Sequence, residues 1–343
     1  MAAMLVSLPA KAIPPTGWSL NTIFSTTDNL YHDSLGLGDQ YAGFSLSLEQ
    51  PISEPFLLWY HGNGEIYSEY SGLNNLQHSA GFDCGTYLTE RSELWATLYG
   101  RFLGYSADYE SYDQTSGSVI AGYRLVANPA LRVGSTASWK RVGYPHADTV
   151  AINYDDSQLS LDFNFATRIR LAFDVELGIQ RRSYYEIQGG TSTDFLWNRV
   201  RVSTPLARGA GLALSFTYRE QLTLDGEDLL ALYEGGLNPE SQLWDGWRVG
   251  AEVNRGQGLW KFTGGVQGGR ANYLETEAIT GREARVDEVF RILLMGRRTL
   301  LTPINAPAAS LGMMLVWTDN NSSDTYYDWS GYSLHITLSL LSP

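Results

Sequence analysis

The stretch from residue 159 to residue 182, LSLDFNFATRIRLAFDVELGIQRR, decides the fold. Leu159, Leu161, Phe163 and Phe165 occupy every second position, with polar Ser160, Asp162 and Asn164 between them. After Ala166, Thr167 and Arg168 the alternation resumes. Ile169, Leu171, Phe173, Val175, Leu177 and Ile179 share one face, and Arg170, Ala172, Asp174, Glu176, Gly178, Gln180 and Arg182 share the other. Successive side chains of a strand point to opposite sides, so this is a long antiparallel hairpin with one oily and one charged face. Ordinary strands run about five or six residues. These arms approach the roughly nine to eleven needed to cross a bilayer at a tilt.

The same unit repeats in both directions. Upstream lie the alternating sets Trp18–Thr27, Ala42–Leu48, Phe56–Tyr60, Ala80–Cys84, Leu94–Phe102, Val119–Leu125 and Leu131–Trp139. Downstream lie Val200–Thr204, Leu212–Tyr218, Trp247–Val253, Trp260–Val266, Phe290–Leu294, Leu311–Trp317 and Tyr332–Leu340. The pattern predicts about sixteen strands. Short connections, such as Pro51–Pro55, Asn128–Ala130 and Gly256–Gly258, alternate with mostly longer acidic ones, of which Asp225–Trp244 is the longest. An up-and-down meander whose two ends face different compartments gives that rhythm. An even strand number puts both chain ends at the short-turn end.

Composition is compatible with this and removes other classes. Mean hydropathy is -0.20 and no apolar run approaches the roughly eighteen residues of a membrane helix. A membrane barrel needs no such run, because only alternate residues face lipid. The net charge of -13 argues against a nucleic-acid partner, which requires a basic surface. The single cysteine, Cys84, permits neither an internal disulfide nor a cysteine zinc cluster. Residues 1–12, MAAMLVSLPAKA, read as the remnant of a signal peptide with an A-x-A-like site, leaving 13–343 as one barrel domain.

Trp18, Tyr60, Tyr105, Trp139, Trp247, Tyr273, Trp317 and Tyr332 lie near strand ends, as interfacial girdles require. With these aromatic positions the chain resembles the bacterial outer-membrane β-barrels of Gram-negative cells, over nearly everything after Pro15. The last strand is similar to the C-terminal assembly signal of such barrels, although it closes Leu340-Leu341-Ser342-Pro343 without a terminal aromatic. The resemblance implies an all-β transmembrane up-and-down antiparallel barrel in the outer membrane, with short periplasmic turns and long extracellular loops. It implies as partners outer-membrane lipid and lipopolysaccharide, the barrel-assembly machinery, and a homotrimer or a partner protein in the lumen. The strand number also resembles general porins and the barrel ends of some exopolysaccharide exporters.

If the oily face meets lipid, the polar face lines the interior. Its pore-lining candidates are Arg124, Arg132, Lys140, Arg170, Asp174, Glu176, Arg182, Arg199, Arg201, Arg219, Arg248, Glu252, Arg291 and Arg297. Arg199 and Arg201 share one face of one strand and are the strongest selectivity candidates, whereas Arg170, Asp174 and Glu176 read as an internal salt-bridge network. The first functional reading is a channel whose cationic interior prefers anions or saccharides. The alternative is a non-conducting barrel scaffold serving a partner protein, polysaccharide export or surface assembly. A lipid-modifying enzyme is the weakest reading. The histidines are His32, His61, His78, His146 and His335, read as pore-lining or loop residues. None forms the His-x-Ser of outer-membrane phospholipases on a strand, since His32-Asp33-Ser34 falls in the polar loop Asp28–Gln40, and Ser333-x-His335 has the same-face spacing in reverse order without an apparent orienting acid. No catalytic residue, metal or cofactor is expected. The segment Asp225-Gly226-Glu227-Asp228 lacks the spaced ligands of an EF-hand, and residues 229–233 read as a short helix at the mouth.

Overall fold

The alternating stretches become neighbouring strands of one sheet that closes on itself. The computed structural model describes residues 17–29, 35–146, 153–184, 191–206, 209–225, 244–277, 284–300 and 306–342. The strands are β1 (Gly17–Thr27), β2 (Asp39–Ser53), β3 (Phe56–Tyr67), β4 (Asn75–Thr89), β5 (Ser92–Tyr105), β6 (Gln114–Asn128), β7 (Leu131–Gly143) and β8 (Tyr154–Ala166). They continue as β9 (Ala172–Tyr184), β10 (Thr191–Pro205), β11 (Ala210–Asp225), β12 (Asp245–Gln257), β13 (Trp260–Glu277), β14 (Ala284–Leu300), β15 (Ala308–Ser322) and β16 (Trp329–Leu341). Each pairs antiparallel with its sequence neighbours, and β1 pairs with β16 from Ser19↔Leu341 to Thr27↔Ser333. Closure leaves no strand edge, so the backbone groups are paired within the sheet, as hydrocarbon demands.

Alternation then separates two surfaces. Phe24, Leu98, Leu294 and Met313 are each more than half exposed and point outward. Leu159, Leu177, Leu214, Phe262 and Ile336 continue this surface around the barrel. A water-soluble monomer rarely exposes apolar patches above a few hundred Å². A continuous apolar belt of this kind is the outer surface of a barrel that spans a membrane.

The start of β1 and the end of β16 lie at the end that carries the turns at 54–55, 90–91, 129–130, 167–171 and 258–259. The expected turns move in detail. Pro51 remains in β2, at a register shift between Pro51 and Ser53, so the turn is Glu54-Pro55 rather than Pro51–Pro55. In the opening hairpin, β8 runs through Ala166 and β9 starts at Ala172. Residues 167–171 form the turn, closed by bonds from Thr167 N–H to the Leu171 carbonyl and from Arg170 N–H to the Thr167 carbonyl. The strands around 274–287 are longer than expected, reaching Glu277 and restarting at Ala284. The connection after β5 contains a 3-10 segment, Ala107–Tyr112.

Glycines let large side chains lie flat on the inner wall. Trp59 stands opposite Gly81, Trp95 opposite Gly122 and Trp197 opposite Gly178. In each pair the indole covers the glycine so closely that a Cβ there would overlap it. Alanine at Gly122 or Gly178 would force the ring off the wall and into the lumen.

Candidate functional site

The inner wall divides into two arcs with different chemistry. Apart from Lys11, every Lys and Arg of the chain falls between Arg91 and Arg298. The strands β1 to β4 and β15 to β16 therefore carry none. These strands are remote in sequence, but the β1–β16 seam joins them into one continuous cation-free arc. The strands β5 to β14 form the opposite, cationic arc.

On the cationic arc, pairing registers place Arg124, Arg132, Lys140, Asp174, Glu176, Arg182, Arg199, Arg201, Arg219, Arg248, Glu252, Arg291 and Arg297 on the inward face, opposite in parity to the lipid-facing rows. Arg170 does not belong with them. It lies in the turn at φ 65°, a left-handed position outside the strand. The internal network expected around it is replaced by another: Arg199 lies 3.6 Å from Glu176, and Arg201 lies 3.8 Å from Glu252. Asp174 stands directly opposite Arg201. The Arg199 and Arg201 side chains are 60% and 49% exposed, so both guanidiniums still face the lumen. Arg124 lies 3.4 Å from Glu93.

Other cations are fixed in place. Arg182 and Asp156 form a buried ion pair at 3.0 Å. Asp156 also accepts from Gln180, and the Arg182 guanidinium sits 4.2 Å over the Tyr154 ring. Tyr154 joins Val142, Tyr184 and Phe195 in a buried cluster. Arg219 stacks 4.0 Å from Phe195 and donates to Gln180 at 3.1 Å, while Arg248 lies 4.1 Å from the Trp244 ring. Arg291 donates through Nε to Thr318 Oγ1 (3.2 Å), and Arg297 through Nε to Ser310 Oγ (2.9 Å). A luminal cleft of about 470 Å³ opens between Glu176, Gln180, Trp197, Arg199, Arg219 and Trp244.

The cation-free arc is lined by hydroxyls, amides and imidazoles, with the carboxylates Glu65, accepting from Tyr67 and Asn75, and Asp83, accepting from Trp59, among them. Asn21 donates to Ser45 at 3.1 Å. His61 pairs with Ser47 at 2.7 Å. His335 holds Ser25 on Nδ1 at 2.8 Å and Ser333 on Nε2 at 3.0 Å. A Ser-His-acid triad needs a carboxylate on the second ring nitrogen, and here a serine occupies it. His78 departs from the expected pore or loop placement. It lies on the outward face and bonds the Tyr60 hydroxyl at 2.6 Å. His146 meets Asp113 at 3.0 Å. His32, residues 226–228 of the acidic loop and the expected helix at 229–233 lie outside the described residues.

Asp39 begins β2 at the mouth of this arc. Its carboxylate accepts the Ser68 hydroxyl and the backbone N–H groups of Gln40, Glu69 and Tyr70. Burial alone would raise its pKa, but the hydrogen bonds from Ser68, Tyr70, Gln40 and Glu69 prevail and hold it below the ordinary carboxylate value.

Sequence reasoning missed several wall residues. Arg101 sits on the inward face of β5, where strict alternation from Leu98 and Phe102 would have placed it. Arg285 and Asp287 form a buried pair at 2.7 Å, with Arg285 between the Tyr273 ring (4.1 Å) and the Tyr327 ring (3.6 Å). They lie outside the alternating sets Trp260–Val266 and Phe290–Leu294, because the extension of β13 and β14 has no clean alternation.

No family model and no curated protein matches the sequence. Solved structures match the fold over nearly the whole chain. Pseudomonas aeruginosa OccD3 (OpdP) aligns at 11% identity with a TM-score of 0.56, covering 96% of this chain and 92% of that one. Acinetobacter baumannii OccAB2 aligns at 13% identity and 0.54, covering 96% and 98%. Pseudomonas aeruginosa OpdK, in a structure with vanillate, aligns at 9% identity and 0.54, covering 95% and 98%. The chain shares the barrel fold of these proteins, its own barrel having sixteen strands.

Proposed function

We propose that the protein is an outer-membrane channel that passes small organic anions. The observation that carries this reading is the segregation of the luminal cations onto one arc of a closed barrel. Charges of one sign inside low-dielectric walls focus a field across the passage and concentrate ions of the other sign. Arg199 and Arg201 give that field exposed guanidiniums, which match carboxylates through paired N–H donors. The hydroxyls, amides and imidazoles of the opposite arc offer hydrogen bonds to the rest of a solute, and its carboxylates Glu65 and Asp83 repel an anion toward the guanidiniums. Vanillate, present in one structure of this fold, is an anion of the proposed class. No cofactor or covalent step is required.

The test is single-channel recording of the refolded full chain in a planar bilayer under a salt gradient. Open steps are expected, with a zero-current potential of the sign that anion preference gives. A correctly folded barrel that stays closed, or one that prefers cations, overturns the reading.

A further inference from the structure

One patch of the inner wall breaks its polar rule. Along the middle of β14 the inward residues run Arg291, Leu293, Met295 and Arg297. On β15, Val316 stands opposite Leu293 and Met314 opposite Met295. Four apolar side chains thus lie together on the luminal face, two strands wide. Met295 is 39% exposed and the other three are half-buried, so the patch is open to the passage. Water-facing luminal positions elsewhere on the neighbouring strands are Gln267, Gly265 and Thr263 on β13 and Ser333, His335 and Thr337 on β16.

The patch is bracketed by charge. Arg291 lies on its outer side and Arg297 on its inner side, about 20 Å apart along the strand at roughly 3.3 Å per residue. Among the described residues neither has a carboxylate partner; each bonds only a hydroxyl, Thr318 or Ser310. Lys261 stands opposite Arg297 and adds to the inner charge. On the outer side, Leu293 and Arg291 share a cleft of about 310 Å³ with Arg201 and Glu252. An oily strip between two unpaired guanidiniums is complementary to one kind of solute, an anionic head with an apolar tail.

We propose that this strip is a binding track for straight-chain monocarboxylates. The carboxylate docks on Arg291, the alkyl chain lies over Leu293, Met295, Met314 and Val316, and the head is then handed to Arg297 while the tail keeps its contact. The inference rests on the channel reading for its direction of travel, but binding to the strip is measurable without conduction.

The experiment is calorimetric titration of the full chain in lipid nanodiscs with acetate, butyrate, hexanoate and octanoate, with empty nanodiscs subtracted, alongside single-channel current in the same solutes. Affinity is expected to rise by about two- to fourfold per added methylene, the gain from moving a CH₂ out of water onto an apolar surface. Leu293→Ser combined with Met295→Ser should flatten that dependence and leave acetate unchanged. Met314→Ser alone, on the neighbouring strand, should reduce the slope if the double variant fails to fold. Arg291→Gln should weaken the longer carboxylates by a common factor without altering the slope. Wild-type affinity independent of chain length, or a slope insensitive to these serines, overturns the track. Binding with the expected slope in a barrel that never conducts upholds the track and overturns the channel.

Discussion

Two buried aspartates on opposite arcs of the barrel are held by different means. Asp156, on the cationic arc, is neutralised by Arg182 at 3.0 Å. Asp39, on the cation-free arc, has no guanidinium within its own strands and is held by the Ser68 hydroxyl and three backbone N–H groups. The comparison shows how far the segregation of charge reaches. Where cations line the wall, an acid becomes half of an ion pair and its removal exposes a buried charge. Where they are absent, backbone dipoles from a connecting loop carry the same task, and the acid's removal releases the loop.

The largest effect expected from breaking this contrast is on the Asp156 side. Asp156 and Arg182 are both more than nine-tenths buried. Removing one partner of a buried ion pair typically costs about 3–5 kcal/mol. Asp156→Ala is therefore expected to destabilise the barrel by about 3 kcal/mol, read as a lower urea midpoint for unfolding from lipid vesicles. An unchanged midpoint would mean that Tyr154, Gln180 and water hold the guanidinium equally well, and that the pair is not a structural element of the arc.

Reversing charge where the cations are exposed should change transport with little change in stability. Arg199 and Arg201 are half or more exposed, and exposed pairs contribute about 0–1 kcal/mol. In the double variant Arg199→Glu, Arg201→Glu, each new carboxylate would stand beside an existing acid, Glu176 or Glu252. The zero-current potential in a salt gradient should move toward cation preference, and toward the opposite sign if these two residues dominate the field. No movement would assign the field to the rest of the arc.

How much of this was legible in the sequence depends on range. Alternation is local, so the strand number, the closed meander and the inward face of nearly every candidate could be read from neighbouring residues. The opening hairpin shows the limit even there. Ile169 and Leu171 continue the oily period through the turn, so Arg170 looked like a strand residue until the left-handed position broke the register. Partners are non-local. Arg201 meets Glu252 across β11, and nothing in the spacing of the two residues announces it. The luminal strip escaped notice because β14 is apolar on both faces, Phe290, Ile292 and Leu294 outward and Val289, Leu293 and Met295 inward. A period-two reading only asks which face is oilier. The cation-free arc was visible in principle as two Arg- and Lys-free ends of the chain, but it becomes a single wall only through the β1–β16 seam.

The smallest expected effect sharpens the contrast from the Asp39 side. The folded-state pKa of Asp39 is depressed, so its contribution to stability is fully present above the carboxylate's ordinary value of 3.8 and is lost as pH falls through the lower folded value. The loss should be local. Protonation weakens the acceptor for Ser68, Glu69 and Tyr70, which begin the connection from β3 to β4, while the barrel ladder is unaffected. Hydrogen exchange of the Glu69 and Tyr70 amides, which donate to this carboxylate, should accelerate in acid relative to amides of the β2–β3 ladder. Asp39→Asn should show the fast exchange already at neutral pH, because a neutral amide oxygen is a weaker acceptor than a carboxylate. The Asp156 side gives a control, since Asp156→Ala should loosen Arg182 without altering exchange at Glu69 and Tyr70. If these amides exchange at the same rate in the wild type and in Asp39→Asn at neutral pH, the loop is held by its other contacts. Those include the Asn74 side chain on the Tyr67 N–H at 2.7 Å and the Ser68 N–H on the Gln40 carbonyl at 2.9 Å. In that case the cation-free arc would need no ionised acid at its mouth, and the difference between the two arcs would lie in transport alone.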